Sequence, residues 1–199
     1  MTLASLVLAL GLTLQAGGTG AGEHLLAGAR LFREARYAEA LVEFRVAQRL
    51  GSPDAAGYAG AALVKLGRPE EAFEAFGGAD APRRDALLDY YRAIAAFDAR
   101  LYATAERLLS SGIDRPGPRV ADEVARLRAD LATVLAATPA PANIDWYLER
   151  CAATRAERRL LLSRAFCAEA TALAQRRPDH YRLDEARRGA AAAPTGSAP

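Results

Sequence analysis

Apolar residues recur along most of this chain at steps of three and four, the spacing that puts them on one face of an α-helix. Val120, Val124, Leu127, Leu131 and Val134 form one such stripe, and Asp122, Glu123, Arg126 and Asp130 fall on the opposite, solvated face. No long alternating pattern competes for strand. Breaks fall at Gly51-Ser52-Pro53-Asp54, Gly77-Gly78, Ala81-Pro82 and Gly112 through Pro118, where helix pairs should end. Alanine, the best helix former, is abundant, and its small side chain lets helix axes approach closely. The pattern therefore predicts an all-α protein of packed helix pairs.

Three stretches can be laid over one another. They are ARYAEALVEFRVA (Ala35 to Ala47), GRPEEAFEAFGGA (Gly67 to Ala79) and RLYATAERLLSSG (Arg100 to Gly112), stepped by 32 and 33 residues, and each follows an apolar helical stretch. In the first, Gly28, Ala40 and Ala47 hold small positions, Phe44 the ring, and Pro53 falls near the repeat end. In the second, Gly60, Gly67, Ala72, Phe76 and Ala79 do the same. In the third, Ala93, Tyr102, Ala105 and Gly112 fit, but Leu109 replaces the ring and Arg92 takes a usually apolar place. Over roughly Gly22 to Gly112 the chain resembles the tetratricopeptide repeat family, whose period is close to this one. It departs from the family pattern where His24, Ala56 and Asp89 replace an aromatic near the start of each first helix.

The resemblance implies a helical-hairpin array of about three pairs, with a concave face lined by the first helix of each. In the family register the inner positions are Leu25, Ala29, Phe32 and Arg33, then Gly57, Ala61, Val64 and Lys65, then Tyr90, Ile94, Phe97 and Asp98. Simple interhelix packing is the competing role for the apolar members. The family's clamp for chaperone tails uses Lys and Asn where this chain has Leu25 and Ala29, which disfavours that ligand. A small apolar groove suits an extended peptide or a partner helix.

Composition narrows the field. The 199 residues are 51% hydrophobic with a formal net charge of only +2, which argues against disorder and against a strongly polyanionic partner. Lys65 is the single lysine among 26 cationic residues, a bias that reads as codon usage. The arginine-rich C-terminal segment lacks interleaved exposed aromatics, so a solvated helix face is preferred to nucleic-acid or membrane-surface binding. Asp179-His180-Tyr181 is the nearest approach to a reactive cluster, but it follows Arg177-Pro178 at a helix junction. No nucleophile elbow, phosphate loop or four-ligand metal spacing occurs, so no enzyme activity, cofactor or metal is expected.

Residues 1–21 carry an uncharged apolar run from Leu3 to Leu14, too short to span a bilayer but suited to the core of a signal peptide. Cleavage after Gly18 or Ala21 would follow. No Lys or Arg precedes Arg30, which leaves open an apolar helix capping the first repeat. Export to the periplasm or outside is the preferred destination, cytoplasm the alternative.

Residues 113–189 are expected to form an irregular C-terminal helical hairpin that caps the array, with Trp146 and Tyr147 in its packing, and residues 190–199 a disordered tail. Thr154 and Glu157 have capping-box spacing, which predicts a helix from about Arg155 to Gln175. Cys167 then lies roughly 19 Å up the axis from Thr154. Three residues back to Cys151 recover at most about 11 Å, and a bridge needs Cα atoms within about 7 Å. Free, buried thiols are thus favoured over a Cys151–Cys167 disulfide, which would require the helix to start later, near Arg159, or to bend. The function expected is a non-enzymatic protein-interaction scaffold or adaptor of the bacterial cell envelope. The alternative is an accessory helical domain that spaces a larger assembly.

Overall fold

The computed structural model describes residues 19–77, 86–112 and 120–191. Among them 80% are helical and none is in a strand. Ten helices follow in order: α1 (Thr19–Arg33), α2 (Tyr37–Arg49), α3 (Ala55–Lys65), α4 (Pro69–Ala75), α5 (Ala86–Asp98), α6 (Tyr102–Gly112), α7 (Ala121–Ala136), α8 (Pro141–Ala156), α9 (Leu160–Gln175) and α10 (Leu183–Ala191). Consecutive helices pack as hairpins, and α1–α2, α3–α4 and α5–α6 coincide with the three stretches read from the sequence. The leader expected over residues 1–21 lies outside the described residues up to position 18, as do the breaks at Ala81-Pro82 and at 113–119.

One contact explains the repeat. A Cβ placed on Gly28 would stand 2.6 Å from the Phe44 ring, and one on Gly60 would stand 2.7 Å from the Phe76 ring. Only glycine leaves room for an aromatic face against its backbone, so each pair is a notch and its filler, 16 residues apart. Both rings are buried. In the third hairpin the corresponding residues are Ala93 and Leu109, buried to 0% and 1% exposure. A larger notch residue is matched by a narrower filler, which keeps the crossing filled. This compensation accounts for the missing third ring.

Each hairpin turns through one left-handed residue. Ala35, Gly67 and Arg100 have φ of 60°, 68° and 63°. Their N–H groups donate to the carbonyls of Phe32, Val64 and Phe97 at 3.1, 3.0 and 2.9 Å. The next N–H groups, of Arg36, Arg68 and Leu101, donate to Leu31, Leu63 and Ala96 at 3.0, 3.0 and 2.8 Å. This pair of bonds is a Schellman motif, which satisfies carbonyls that a helix end leaves unpaired.

The same motif recurs where the sequence led us to expect unbroken helix. Arg158 has φ 61°, its N–H donates to Arg155 at 3.0 Å, and Arg159 donates to Thr154 at 2.8 Å. The residues α8–α9 are therefore a fourth hairpin on the same template, and the helix expected from Arg155 begins instead at Leu160. Thr154 does not cap it. Its hydroxyl donates back to the Arg150 carbonyl at 2.7 Å, inside α8. Counting from the turn, the notch and filler positions fall on Cys151 and Cys167, and these form a disulfide with a Cα–Cα distance of 5.3 Å. The expectation of free thiols is thus corrected. It failed because the turn at Glu157–Arg159 folds the two cysteines onto facing helices.

The C-terminal region holds the helix read from the Val120–Val134 stripe as α7, then the fourth hairpin, then one further helix, α10. Helix α10 continues through Ala191, two residues into the stretch expected to be disordered. The fourth hairpin does not extend the stack of first helices. Its helix α9 docks on α4 and α6. Arg150 pairs with Glu70, while Arg159 pairs with Glu70 at 2.8 Å and Glu74 at 2.9 Å. Glu169 accepts the N–H groups of Ala103 and Thr104 at 3.0 and 2.8 Å, placing a carboxylate on the open N-terminus of α6. Tyr147 donates to the carbonyl of Arg100, and Trp146 meets Tyr147 and Phe166 edge-on at 4.8 and 5.9 Å. These aromatics pack the docking interface.

Candidate interaction surface

The twelve inner positions separate by depth. Leu25, Ala29, Phe32, Gly57, Ala61 and Tyr90 are buried; Val64, Ile94 and Phe97 are half-buried; Arg33, Lys65 and Asp98 are exposed. The depth follows from helix geometry. Arg33, Lys65 and Asp98 are the last residues of α1, α3 and α5, so the charged rim is the row of C-terminal ends of the first helices. Leu25, Ala29, Phe32, Gly57, Ala61 and Tyr90 are consumed by packing between helices, whereas Ile94, a turn back on α5, stays half-buried.

Tyr91 organises this end and was not among the inner positions. It is 1% exposed, its ring meets Phe32 of α1 edge-on at 6.2 Å, and the Lys65 ammonium of α3 lies 5.5 Å from its centroid. The first and third hairpins therefore meet across the second through one aromatic side chain. The available signal was the recurrence of tyrosine at Tyr58 and Tyr91, 33 residues apart. Tyr58 stacks on Phe44 of the preceding repeat with centroids 5.6 Å apart.

Electrostatics mark the rim as partly dry. Loss of water around the Lys65 ammonium lowers its pKa, and burial of the Asp98 carboxyl raises its pKa, although each side chain as a whole stays exposed. The Tyr90 phenol is pushed up to about 12, chiefly by burial and then by Glu123 of α7. Helix α7 packs beside α5 and thereby covers Tyr90, which is removed from the accessible surface. What stays reachable is a band of Arg33, Val64, Lys65, Ile94, Phe97 and Asp98, with Phe97 braced edge-on by Tyr102 at 5.5 Å.

Other polar groups are engaged structurally. Asp179 is held by Arg177 at 2.6 Å and accepts the Tyr181 N–H, while His180 is exposed beside them. His24 and Glu43 hydrogen bond at 2.6 Å between α1 and α2. No group of His, Cys, Asp and Glu among the described residues could hold a metal ion, and no described helix is long and apolar enough to cross a membrane. No protein-family model, curated protein or solved structure matches this chain.

Proposed function

We propose that this protein is a tetratricopeptide-like, non-enzymatic interaction module that takes a short apolar segment of a partner protein on the band formed by the ends of α1, α3 and α5. The observation that carries this reading is the juxtaposition of half-buried Val64, Ile94 and Phe97 with exposed Arg33, Lys65 and Asp98. Apolar side chains there supply contact area, and opposite charges at its edge fix direction. Among the described helices, the fourth hairpin docks through α9 on α4 and α6, the second helices of their hairpins, and not on α1, α3 or α5.

Two features support a role outside the cytosol, in the bacterial envelope. The Leu3–Leu14 run has signal-peptide character, and the Cys151–Cys167 bond suits an oxidising compartment. Burial of half the inner positions favours a second reading, a spacer domain of a larger assembly that binds no peptide.

Affinity capture from envelope fractions with wild-type protein and with Ile94→Glu/Phe97→Glu distinguishes the two. The module reading expects a partner lost with the double variant and retained with Val42→Glu, a change on an exposed site away from the band. Identical partners for all three proteins would favour the spacer.

A further inference from the structure

The disulfide of the fourth hairpin is roofed by α10, and the roof touches sulfur. Gly189 lies so close that a Cβ there would stand 2.7 Å from the Cys167 Sγ. Cys151 and Cys167 are 3% and 1% exposed, so no reagent reaches the bond while α10 is seated. Helix α10 seats on α9, with Ala186 fully buried and Leu183, Gly189 and Ala190 partly so, and just before it Arg182 pairs with Asp145 of α8 at 2.6 Å. Its strongest polar tie at this end is Arg155 of α8, whose Nη2 donates to the Gly189 carbonyl at 2.6 Å and lies 3.7 and 3.9 Å from the two sulfurs. One guanidinium thus touches both the bond and the helix that covers it.

We propose that the Cys151–Cys167 bond and α10 form a redox latch, in which reduction by a dithiol unseats α10 and uncovers the α9 surface beneath it. In the reaction a thiolate of the dithiol attacks a protein sulfur, the Cys151–Cys167 bond breaks, and the departing sulfur takes a proton. The second thiol of the reagent then displaces the mixed disulfide. Two electrons pass to the protein, which gains two S–H groups, and the reagent leaves as its own disulfide. The Arg155 cation faces the negative charge that develops on the departing sulfur.

The mechanical link is volume. A disulfide holds its sulfurs at about 2.0 Å, whereas non-bonded heavy atoms settle at about 3.5–4.0 Å. Two thiols therefore need more room, in a place where Gly189 already stands too near for one added methyl group. The helices α8 and α9 are held by their crossing and by the ion pairs to α4, so α10 is the element that yields. Linkage runs both ways, and whatever lifts α10 also opens the bond to reductant.

The test is hydrogen exchange of the full chain, read peptide by peptide, with and without dithiothreitol. Reduction should raise exchange in residues 183–191 at least tenfold while α8 and α9 change by less than threefold. Gly189→Ala should produce the same α10 exchange with the disulfide intact, and should speed reduction of the bond at least tenfold. The double variant Cys151→Ala/Cys167→Ala, which removes the sulfur volume altogether, should keep α10 protected whether or not dithiothreitol is present. The latch is overturned if reduction leaves α10 unchanged. It is equally overturned if α8, α9 and α10 loosen together, or if the double alanine variant loses α10 protection like the reduced protein.

Discussion

The second and fourth hairpins share a backbone and differ in what fills their crossing. Both turn through a left-handed residue, Gly67 or Arg158, with the same two Schellman bonds, and both bring residues 16 apart face to face. In the second, the Phe76 ring lies in the notch left by Gly60. In the fourth, Cys151 and Cys167 join covalently. The turn thus sets which residues meet, while the chemistry at the meeting point is free to vary from dispersion to a covalent bond. A second difference follows. The ring crossings sit inside a stack of like hairpins, whereas the fourth hairpin is attached from outside, by ion pairs and by Glu169 on the α6 terminus.

Emptying the crossings should have the largest effects. Phe44→Ala and Phe76→Ala should each lower stability by about 3–5 kcal/mol in urea titration. Cys151→Ala/Cys167→Ala should cost roughly 3 kcal/mol, the entropy of a loop of this length. A cysteine variant as stable as wild type would show that the covalent bond adds nothing to a crossing already closed by packing.

The external attachment has its own signature. Glu169→Ala leaves the N–H groups of Ala103 and Thr104 without their acceptor and should cost about 1–3 kcal/mol. Burial raises the Glu169 pKa in the folded state, outweighing the N–H bonds that lower it. The folded chain then holds a proton that the unfolded chain has released, so this residue's contribution to stability falls as pH rises from the ordinary carboxylate value through the raised one. Urea midpoints across that window should decline in wild type more steeply than in Glu169→Gln. A shallower decline in wild type would mean that the α6 N–H groups prevail over burial.

The smallest effect concerns the turns. Ala35, Arg100 and Arg158 sit at φ values that favour glycine, so Ala35→Gly and Arg158→Gly should each raise stability by up to about 1 kcal/mol, and Gly67→Ala should lower it by a similar amount. Opposite signs at positions 35 and 158 would show that the two turns are not equivalent.

Three of the four hairpins were legible because glycine, phenylalanine and small residues stand at fixed intervals and announce the crossing. The fourth was hidden by its chemistry. With cysteines at notch and filler and arginine at the turn, only the spacing was left, and Thr154 with Glu157 imitated a helix start. The inner face was half legible. The repeat register named Arg33, Lys65 and Asp98 among the inner positions, and they stand at the C-terminal ends of α1, α3 and α5, but it could not tell that α7 would cover Tyr90 or that Tyr91 would join α1 to α5, since both depend on contacts between distant helices.

The central claim is that α8–α9 is a hairpin of the same template with its crossing closed by sulfur. A non-reducing tryptic digest of the full chain purified from an oxidising compartment tests it most directly. The account predicts a linked pair joining the peptide Cys151–Arg155 to the peptide Ala165–Arg176. Both peptides recovered separately, with two thiols titrating in the denatured protein, would contradict it.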